Sequence, residues 1–232
     1  MTIQVNDLDH RDAAPIVSPF TTVLSQSAAA PSVYKTVGKR FLDISVVIAM
    51  LPVVLPVILV MAALVALDGH NPFYTQNRVG RFGQIFRMYK LRTMIPNAKA
   101  SLENYLAKNQ EARVEWEINQ KLREDPRITK IGQFLRRSSL DELPQLLNVL
   151  LGDMSLVGPR PMMIEQTPLY PSMSYYMLRP GVTGPWQVSE RNASAFAARA
   201  NFDTEYSRTV SFWLDLKILL RTILVVVRGT GC

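Results

Sequence analysis

The chain has 232 residues, of which 48% are hydrophobic, and it carries a formal net charge of +7. This length supports one domain with its own core plus a membrane element, and the charge suits anionic lipids, phosphorylated substrates or nucleic acid. Because the chain has one cysteine, Cys232, and two histidines, His10 and His70, an intrachain disulfide is excluded and a His-based zinc site or a Ser-His-Asp triad is disfavoured.

The N-terminal part of the chain changes character near residue 35. Residues 1–34 are rich in Ala, Ser, Thr, Pro and Asp, show no sustained periodicity and are predicted to be a disordered tail. Residues 44–67 contain no charged side chain, and as a helix they would be about 36 Å long. A bilayer core is roughly 30 Å thick, so we predict a membrane region over residues 35–70.

The topology of this membrane region depends on Pro52 and Pro56, which interrupt the apolar segment. Each proline removes a backbone donor and favours a kink or a break, so the segment is either a kinked single span or a re-entrant helix-break-helix. Basic residues mark the cytoplasmic side of a membrane segment. Because they flank this segment on both sides, the sequence favours re-entry, with both alternatives open. The flanking residues are Lys35, Lys39 and Arg40 before it, and Arg78, Arg81, Arg87, Lys90 and Arg92 after it.

The remaining sequence, residues 71–232, predicts a small and mostly helical cytoplasmic domain with a short β element, giving an α+β fold class. Strands are predicted at residues 72–76 and 84–90, and helices at residues 98–124, 140–151 and 210–228. Residues 158–187 contain several Pro and Gly and are predicted to form loops. The last helix has few charges, and it suits either the membrane interface or a packed core.

The densest group of charged residues contains Arg136, Arg137, Asp141 and Glu142. One interpretation is structural, because Ser139 followed three residues later by Glu142 matches a helix capping box. The other interpretation is chemical, because a carboxylate can attack phosphorus while arginines and Mg²⁺ offset the charge of a diphosphate. Mg²⁺ typically takes only one or two protein carboxylates, so this pair is sufficient to hold it.

Three further segments contain candidate substrate-binding residues. Arg160 lies between two prolines, so its guanidinium suits two-point phosphate binding, although a solvated arginine in a proline-rich turn is the alternative. Lys90 and Arg92 end the second strand close to the membrane region, where they suit either substrate or anionic headgroups. Gln187 follows Trp186, which can stack on a base or sugar, although we favour a role for the ring in the core.

Taken in order, these segments resemble the motifs of the bacterial sugar transferase family, the monotopic polyprenyl-phosphate hexose-1-phosphate transferases. The resemblance covers residues 35 to about 229, and the ordered set of motifs is specific although each motif alone is weak. The matching residues are Lys39, Arg40 and Asp43, followed by residues 75–80, 89–94, 125–129, 139–145, 148–150, 152–161, 179–184 and 214–217.

The resemblance implies a re-entrant membrane helix and a catalytic domain on the cytoplasmic face of the bacterial inner membrane. It implies that Asp141 is the nucleophile, that Glu142 assists it, that Mg²⁺ is required and contacts Asp141, and that Arg160 binds phosphate. The implied substrates are UDP-hexose and undecaprenyl phosphate, with membrane lipid as a further partner, no nucleic acid and a homodimer left open. UMP would be released in a double displacement that begins exopolysaccharide synthesis.

Two departures from the family pattern limit what the resemblance implies. Many members have Ser-Pro where this chain has Leu55-Pro56, and Pro52 adds a second interruption. Many members also have Gly-Trp-Ala-Gln where this chain has Gly184-Pro185-Trp186-Gln187. The second variant resembles the short exopolysaccharide-initiating transferases of galactose or glucose phosphate, which lack an extra N-terminal membrane domain, and the choice of sugar stays open.

A non-catalytic alternative is a membrane-bound adaptor whose basic residues hold anionic lipid. The adjacent Asp141 and Glu142 favour the enzyme, because carboxylates beside arginines weaken anion binding unless a cation is also bound.

Overall fold

The structure, a computed structural model, describes residues 33–119, 122–189 and 196–227. The helices are α1 (Lys39–Ala66), α2 (Ala98–Lys108), α3 (Gln110–Asn119), α4 (Lys130–Ser138), α5 (Gln145–Leu151), α6 (Pro185–Val188), α7 (Arg199–Thr209) and α8 (Phe212–Val227). Strands β1 (Phe73–Val79) and β2 (Ile85–Leu91) form an antiparallel pair, and β3 (Ser155–Val157) and β4 (Gly181–Thr183) form a parallel pair. This mixture of helices and two small sheets confirms the predicted α+β class. Of the tail predicted at residues 1–34, residues 1–32 lie outside the described part, whereas Tyr34 already belongs to a π-helical turn.

Helix α1 is the apolar segment that the sequence predicted. It follows a π-helical turn at Tyr34–Gly38 and continues through Pro52 and Pro56 without interruption. In the described part of the chain, α1 is the one helix that is both long enough and apolar enough to cross a membrane. The structure therefore has one continuous helix, whereas the favoured alternative from the sequence was a helix-break-helix and the other was a kinked single helix. A bend at proline can leave a helix continuous, so the choice between re-entry and a span stays a prediction.

One face of α1 packs against the rest of the protein along the whole length of the helix. The buried positions on this face recur at helical spacing and are Asp43, Val47, Val54, Ala62 and Val65. The opposite face is apolar and exposed, and includes Ile48, Val53, Leu55, Leu59 and Val60. Helix α1 is therefore apolar on two opposite faces. One face packs on the protein, and the other face suits contact with lipid or with another apolar surface.

The N-terminal end of α1 is fixed to the globular part of the protein by polar contacts. Arg40 donates from both terminal nitrogens to the carbonyls of Val149 and Leu150, near the end of α5. The carboxylate of Asp43 accepts hydrogen bonds from the Ser155 hydroxyl at 3.1 Å and the Leu156 amide at 2.9 Å. Because a helix leaves its last carbonyls unpaired, the arginine satisfies the end of α5 while it holds α1.

The C-terminal end of α1 is fixed in the same way by Arg92, which follows β2. Its guanidinium donates to the Val65 carbonyl at 3.2 Å and to the carboxylate of Asp68 at 2.5 and 2.8 Å. Next to this contact, Ala62 and Val65 pack in an apolar cluster with Leu91 and Leu135. Both ends of α1 therefore contact the same globular body.

Two predicted helices have different boundaries in the structure. The helix predicted over residues 98–124 is divided at Asn109, where the backbone is extended, and residues 120–121 lie outside the described part. The helix predicted from Leu140 begins instead with a 3-10 turn at Leu140–Glu142, because Pro144 precedes the regular helix α5. Its predicted end is confirmed, since Gly152 ends α5 in the left-handed conformation.

Helix α8 was predicted to suit either the membrane interface or a packed core, and in the structure it has one buried face and one exposed apolar face. Asp215 and Ile218 are fully buried, while a second face exposes large apolar side chains. The exposed residues include Phe212, Trp213, Leu220, Ile223 and Leu224. The helix starts two residues later than predicted, and Arg228 lies outside the described residues.

Candidate active site

Asp141 and Glu142 lie in the 3-10 turn that follows α4. Ser139 has φ +57° and ends α4 by donating its backbone amide to the Arg136 carbonyl, and its side chain caps no helix. The predicted capping box is therefore wrong, because an N-cap residue adopts extended backbone angles whereas the left-handed region belongs to a helix C-terminus. Glu142 is consequently available for contacts with other side chains.

Two of the predicted substrate-binding residues, Lys90 and Arg160, form ion pairs with the carboxylate pair. The Lys90 ammonium lies 2.8 Å from Glu142 Oε1 and 3.9 Å from Asp141 Oδ2, and Arg160 Nη2 lies 3.1 Å from Glu142 Oε1. The carboxylate side chains are only 8% and 12% exposed, so water screens these charges weakly. The structure thus brings together Lys90, Asp141, Glu142 and Arg160, which are distant in sequence.

The pKa of Asp141 is raised overall by opposing effects, of which burial is the largest. Burial raises the pKa of its carboxyl above the ordinary value, and the negative charge of Glu142 raises it further. The nearby charges of Lys90, Arg136 and Arg160 lower it. These cations favour the ionised form of Asp141, which is the form of a carboxylate that can act as a nucleophile.

Asn148 positions Lys90 by joining α5 to β2. Its fully buried amide donates to the Arg87 carbonyl at 2.7 Å and accepts from the Tyr89 backbone amide at 3.1 Å. These two hydrogen bonds take the place of a further strand, since no third strand pairs with this edge of β2 in the described part of the chain. Lys90 follows directly and reaches Glu142.

Arg136 is positioned by the close approach of α4 to the end of β2. Thr129 caps α4 by accepting from the Gly132 amide, and a side chain at Gly132 would place Cβ 2.0 Å from the Thr93 carbonyl oxygen. Glycine therefore allows α4 to approach, and Arg136 Nε donates to Thr93 Oγ1 at 2.9 Å. From this position, its charge lowers the pKa of Asp141.

Arg160 follows β3 on a segment that packs tightly against the segment around β4. A Cβ at Gly184 would lie 2.0 Å from the Gly158 carbonyl oxygen, and one at Gly181 would lie 2.1 Å from the Gly158 amide nitrogen. Only glycine allows the two backbone segments to come this close. The segment that carries Arg160 therefore packs directly against the start of α6. Residues 158–187 were predicted as loops, but they contain β4, α6 and 3-10 turns, so that prediction was incomplete.

The other predicted site residues have different surroundings. The guanidinium of Arg92 is occupied at the end of α1 rather than at the carboxylate pair. Arg137 is exposed on α4. Gln187 is 5% exposed, and neither atom of its side-chain amide has a partner in the described part of the chain. Trp186 is buried with its ring 4.1 Å from the Arg199 guanidinium carbon, which confirms its place in the core.

Two arginines near Arg160 were not predicted as site residues. Arg78 donates to the Pro161 carbonyl at 3.3 Å and to Gln76 Oε1 at 2.7 Å. The guanidinium carbon of Arg199 lies 4.1 Å from the centre of the Trp186 ring and 4.7 Å from the centre of the Phe196 ring. Arg78 belongs to one of the sequence motifs described above, whereas no local signal distinguished Arg199.

The donor atoms of the site fit a magnesium ion. Among the described residues, no group of three or more His, Cys, Asp and Glu side chains is arranged to hold a metal, but Mg²⁺ usually takes only one or two protein carboxylates beside phosphate and water. Asp141 and Glu142 supply two, and both approach the same ammonium group, that of Lys90. Two carboxylates that converge on one cation are a suitable hard-oxygen donor set.

Comparisons with known proteins show the family to which the chain is similar. The model of a family described as bacterial sugar transferase matches residues 34–229. An uncharacterized sugar transferase of Haemophilus influenzae is 47% identical and an undecaprenyl-phosphate galactose phosphotransferase of Salmonella typhimurium is 45% identical, each over 83% of this chain but only 41% of the relative's length. The exopolysaccharide production protein ExoY of Rhizobium meliloti is 42% identical over 92% of this chain and 95% of its own length.

Proposed function

Because the chain belongs to the bacterial sugar transferase family, we propose that it transfers hexose-1-phosphate from a UDP-hexose to undecaprenyl phosphate and releases UMP. The observation that carries this proposal is the buried Asp141–Glu142 pair, which faces Lys90 and Arg160. The name of the Salmonella relative supports galactose as the sugar, and the name of the Rhizobium relative supports a place in exopolysaccharide production. We keep glucose as the alternative sugar.

The reaction proceeds by double displacement. A carboxylate oxygen of Asp141 attacks the sugar-linked phosphorus, a new oxygen–phosphorus bond forms, and the bond to the UMP oxygen breaks with its electron pair on UMP. An oxygen of undecaprenyl phosphate then attacks the same phosphorus and displaces the Asp141 carboxylate. Two steps suit a water-soluble donor and a lipid-bound acceptor, because they use the same carboxylate in turn.

The neighbouring side chains prepare Asp141 for this reaction. Lys90 and Arg160 neutralise Glu142 and the incoming phosphates, and the charges of Lys90 and Arg136 lower the pKa of the Asp141 carboxyl against the larger raising effect of burial. Asp141 and Glu142 would hold Mg²⁺, which when bound supplies further positive charge to the diphosphate. Glu142 thereby assists by fixing the cations around the nucleophile.

We also propose that α1 is re-entrant and that the catalytic body lies on the cytoplasmic face of the inner membrane. The fixation of both ends of α1 to one globular body supports this topology, because a span would place its ends on opposite sides of roughly 30 Å of hydrocarbon. The exposed apolar residues in the middle of α1 and on α8 supply the surfaces that would contact lipid.

The buried carboxylate pair also weighs against a non-catalytic lipid adaptor. An adaptor that binds anionic headgroups would need exposed cations, whereas Lys90 is mostly buried against Glu142. Ion pairs between these residues would reduce rather than increase the attraction of an anionic lipid surface.

The test is intact-protein mass measured after mixing the full chain, Mg²⁺ and a panel of UDP-hexoses without acceptor. The wild type should gain the mass of one hexose phosphate and release UMP, whereas Asp141→Asn should do neither. Glu205→Gln is a matched control, because it neutralises an exposed carboxylate on α7 and should form the adduct normally. Good turnover by Asp141→Asn, or UMP release that strictly needs the acceptor, would favour direct single-step transfer instead.

A further inference from the structure

Three arginines, Arg78, Arg160 and Arg199, form a positive cluster beside the carboxylate pair, here called the arginine cluster. Burial lowers the pKa of Arg78 to about 10 and that of Arg199 to about 9, and in both cases the charge of Arg160 lowers it further. Guanidinium groups this close repel each other, and burial increases the effect. In the described part of the chain, Arg160 alone of the three has a carboxylate ion pair, with Glu142.

The arginine cluster also contains hydrogen-bonding groups that the protein leaves unused. The Nε atoms of Arg78 and Arg199 are buried without partners among the described residues, and so are both amide atoms of Gln187. Buried polar atoms in folded proteins are almost always paired, and a group of exceptions requires an explanation. Repelling cations with unused donors at one place indicate a site for an anion.

Backbone contacts place these groups around the segment that carries Arg160. Arg78 donates to the carbonyl of Pro161, the next residue. The Gln187 oxygen lies 2.9 Å from where a Cβ of Gly184 would be, and Gly184 packs on the Gly158 carbonyl. Arg199 lies on the ring of Trp186, the neighbour of Gln187.

One carboxylate, that of Asp203, acts on Arg199 without neutralising the arginine cluster. It accepts a hydrogen bond from the Tyr170 hydroxyl at 2.6 Å, and burial raises its pKa to about 6. Asp203 raises the pKa of Arg199, but this effect is smaller than the lowering by burial and by Arg160. The net effect leaves the arginine cluster short of negative charge.

We propose that the arginine cluster and Gln187 bind the nucleotide-side phosphate of the donor, which leaves as part of UMP. This inference rests on the proposed function. When Asp141 attacks the sugar-linked phosphorus, the broken bond leaves its electron pair on an oxygen of the nucleotide phosphate, which gains one negative charge. Arg160 contacts Glu142 beside the nucleophile, so the arginine cluster lies next to the place where the reacting phosphorus and its leaving group must sit. Guanidinium groups fixed there stabilise the developing charge.

The test separates the two half-reactions in Arg199→Gln, with Arg208→Gln as the matched control, since Arg208 is an exposed arginine on the same helix α7. Loss of one hydrogen bond to a charged group should slow UMP release without acceptor by about 10- to 100-fold. Transfer from preformed adduct to undecaprenyl phosphate should be unchanged. Calorimetry with UMP should show weaker binding by a similar factor, and Arg208→Gln should match the wild type in all three measurements.

Gln187→Leu supplies a second variant that does not depend on Arg199. It should weaken UMP binding and raise the thermal stability of the free protein, because it removes two buried atoms that lack partners. A merely structural amide would show the opposite change in stability.

Two results would overturn the proposal. If Arg199→Gln slows only the second half-reaction, the arginine cluster binds the acceptor phosphate instead. If it changes neither the half-reactions nor UMP binding, the cluster binds neither phosphate. Wild-type protein that forms no adduct with any UDP-hexose would instead count against the proposed function, and UMP calorimetry would still decide whether the arginine cluster is a nucleotide-phosphate site.

Discussion

Asp215 joins the two helices that we propose to contact lipid, and neutralising it should strongly destabilise the protein. Its carboxylate on α8 is fully buried and accepts from the Lys39 ammonium and the Tyr34 hydroxyl at 2.6 Å and from the Tyr206 hydroxyl at 2.5 Å. Lys39, at the start of α1, is 14% exposed. Asp215→Asn would leave this ammonium buried without its counter-ion.

The magnitude follows from the burial of both partners. Removing one member of a buried ion pair typically costs about 3–5 kcal/mol. For a chain of this size, that corresponds to a fall in melting temperature of roughly 6–20 °C. The double variant Lys39→Met with Asp215→Asn should regain part of the loss, because it removes the unpaired charge as well as its partner.

The assay is thermal unfolding of the purified full chain in detergent, with Asp68→Asn as the matched control. Asp68 also forms a short ion pair, 2.5 Å from Arg92, but its side chain is 45% exposed. When an exposed ion pair is broken, water solvates the remaining charge and offsets most of the lost interaction energy. We therefore expect a far smaller fall in melting temperature for Asp68→Asn. Equal falls for Asp215→Asn and Asp68→Asn, or no recovery in the double variant, would refute the argument from burial.

Three further predictions concern the site and the membrane. Excess EDTA should abolish transfer and Mg²⁺ should restore it, because Asp141 and Glu142 add negative charge next to a diphosphate; full activity in EDTA would remove the cation from the mechanism. Arg160→Lys should lose about tenfold or more in kcat/KM, since an ammonium cannot make a planar two-point contact, and wild-type kinetics would assign Arg160 to an ordinary turn. Single cysteines at positions 35 and 71, in a Cys232→Ser background, should resist an impermeant reagent on intact cells; labelling of either from outside would support a spanning α1.

The elements that were predicted from the sequence are those whose signal is local. Strand β2 alternates between exposed and buried side chains over Ile85–Met88, and this period of two is visible in the sequence. Helix α1 is recognisable from its uncharged length, and the end of α5 from Gly152. The strands β3 and β4 have three residues each, which is too short for periodicity. Their pairing depends on backbone hydrogen bonds and on glycines that permit a close approach, and neither is a pattern visible in the sequence.

The capping-box prediction was wrong because the same residue types occur both at the start of a helix and in a turn that ends one. Ser139 and Glu142 have the spacing of a helix start, but Leu140 to Pro144 cannot continue as regular helix, since proline removes a backbone donor and clashes with the preceding turn. The left-handed backbone at Ser139 ends α4 instead. Glu142 then pairs with Lys90 and Arg160, and no local rule predicts either partner.

The arginine cluster marks the limit of sequence reasoning most clearly. Arg78 comes from β1, Arg160 from the segment after β3, and Arg199 from the start of α7, so only the tertiary fold brings them together. Their sequence neighbours suggest three unrelated surface cations, whereas the fold buries them with unused donors. A protein would be more stable without such a group, because each unpaired buried donor and each repelling charge has a free-energy cost. Its presence beside a nucleophile is therefore better explained by an anion that binds during the reaction than by any contribution to folding.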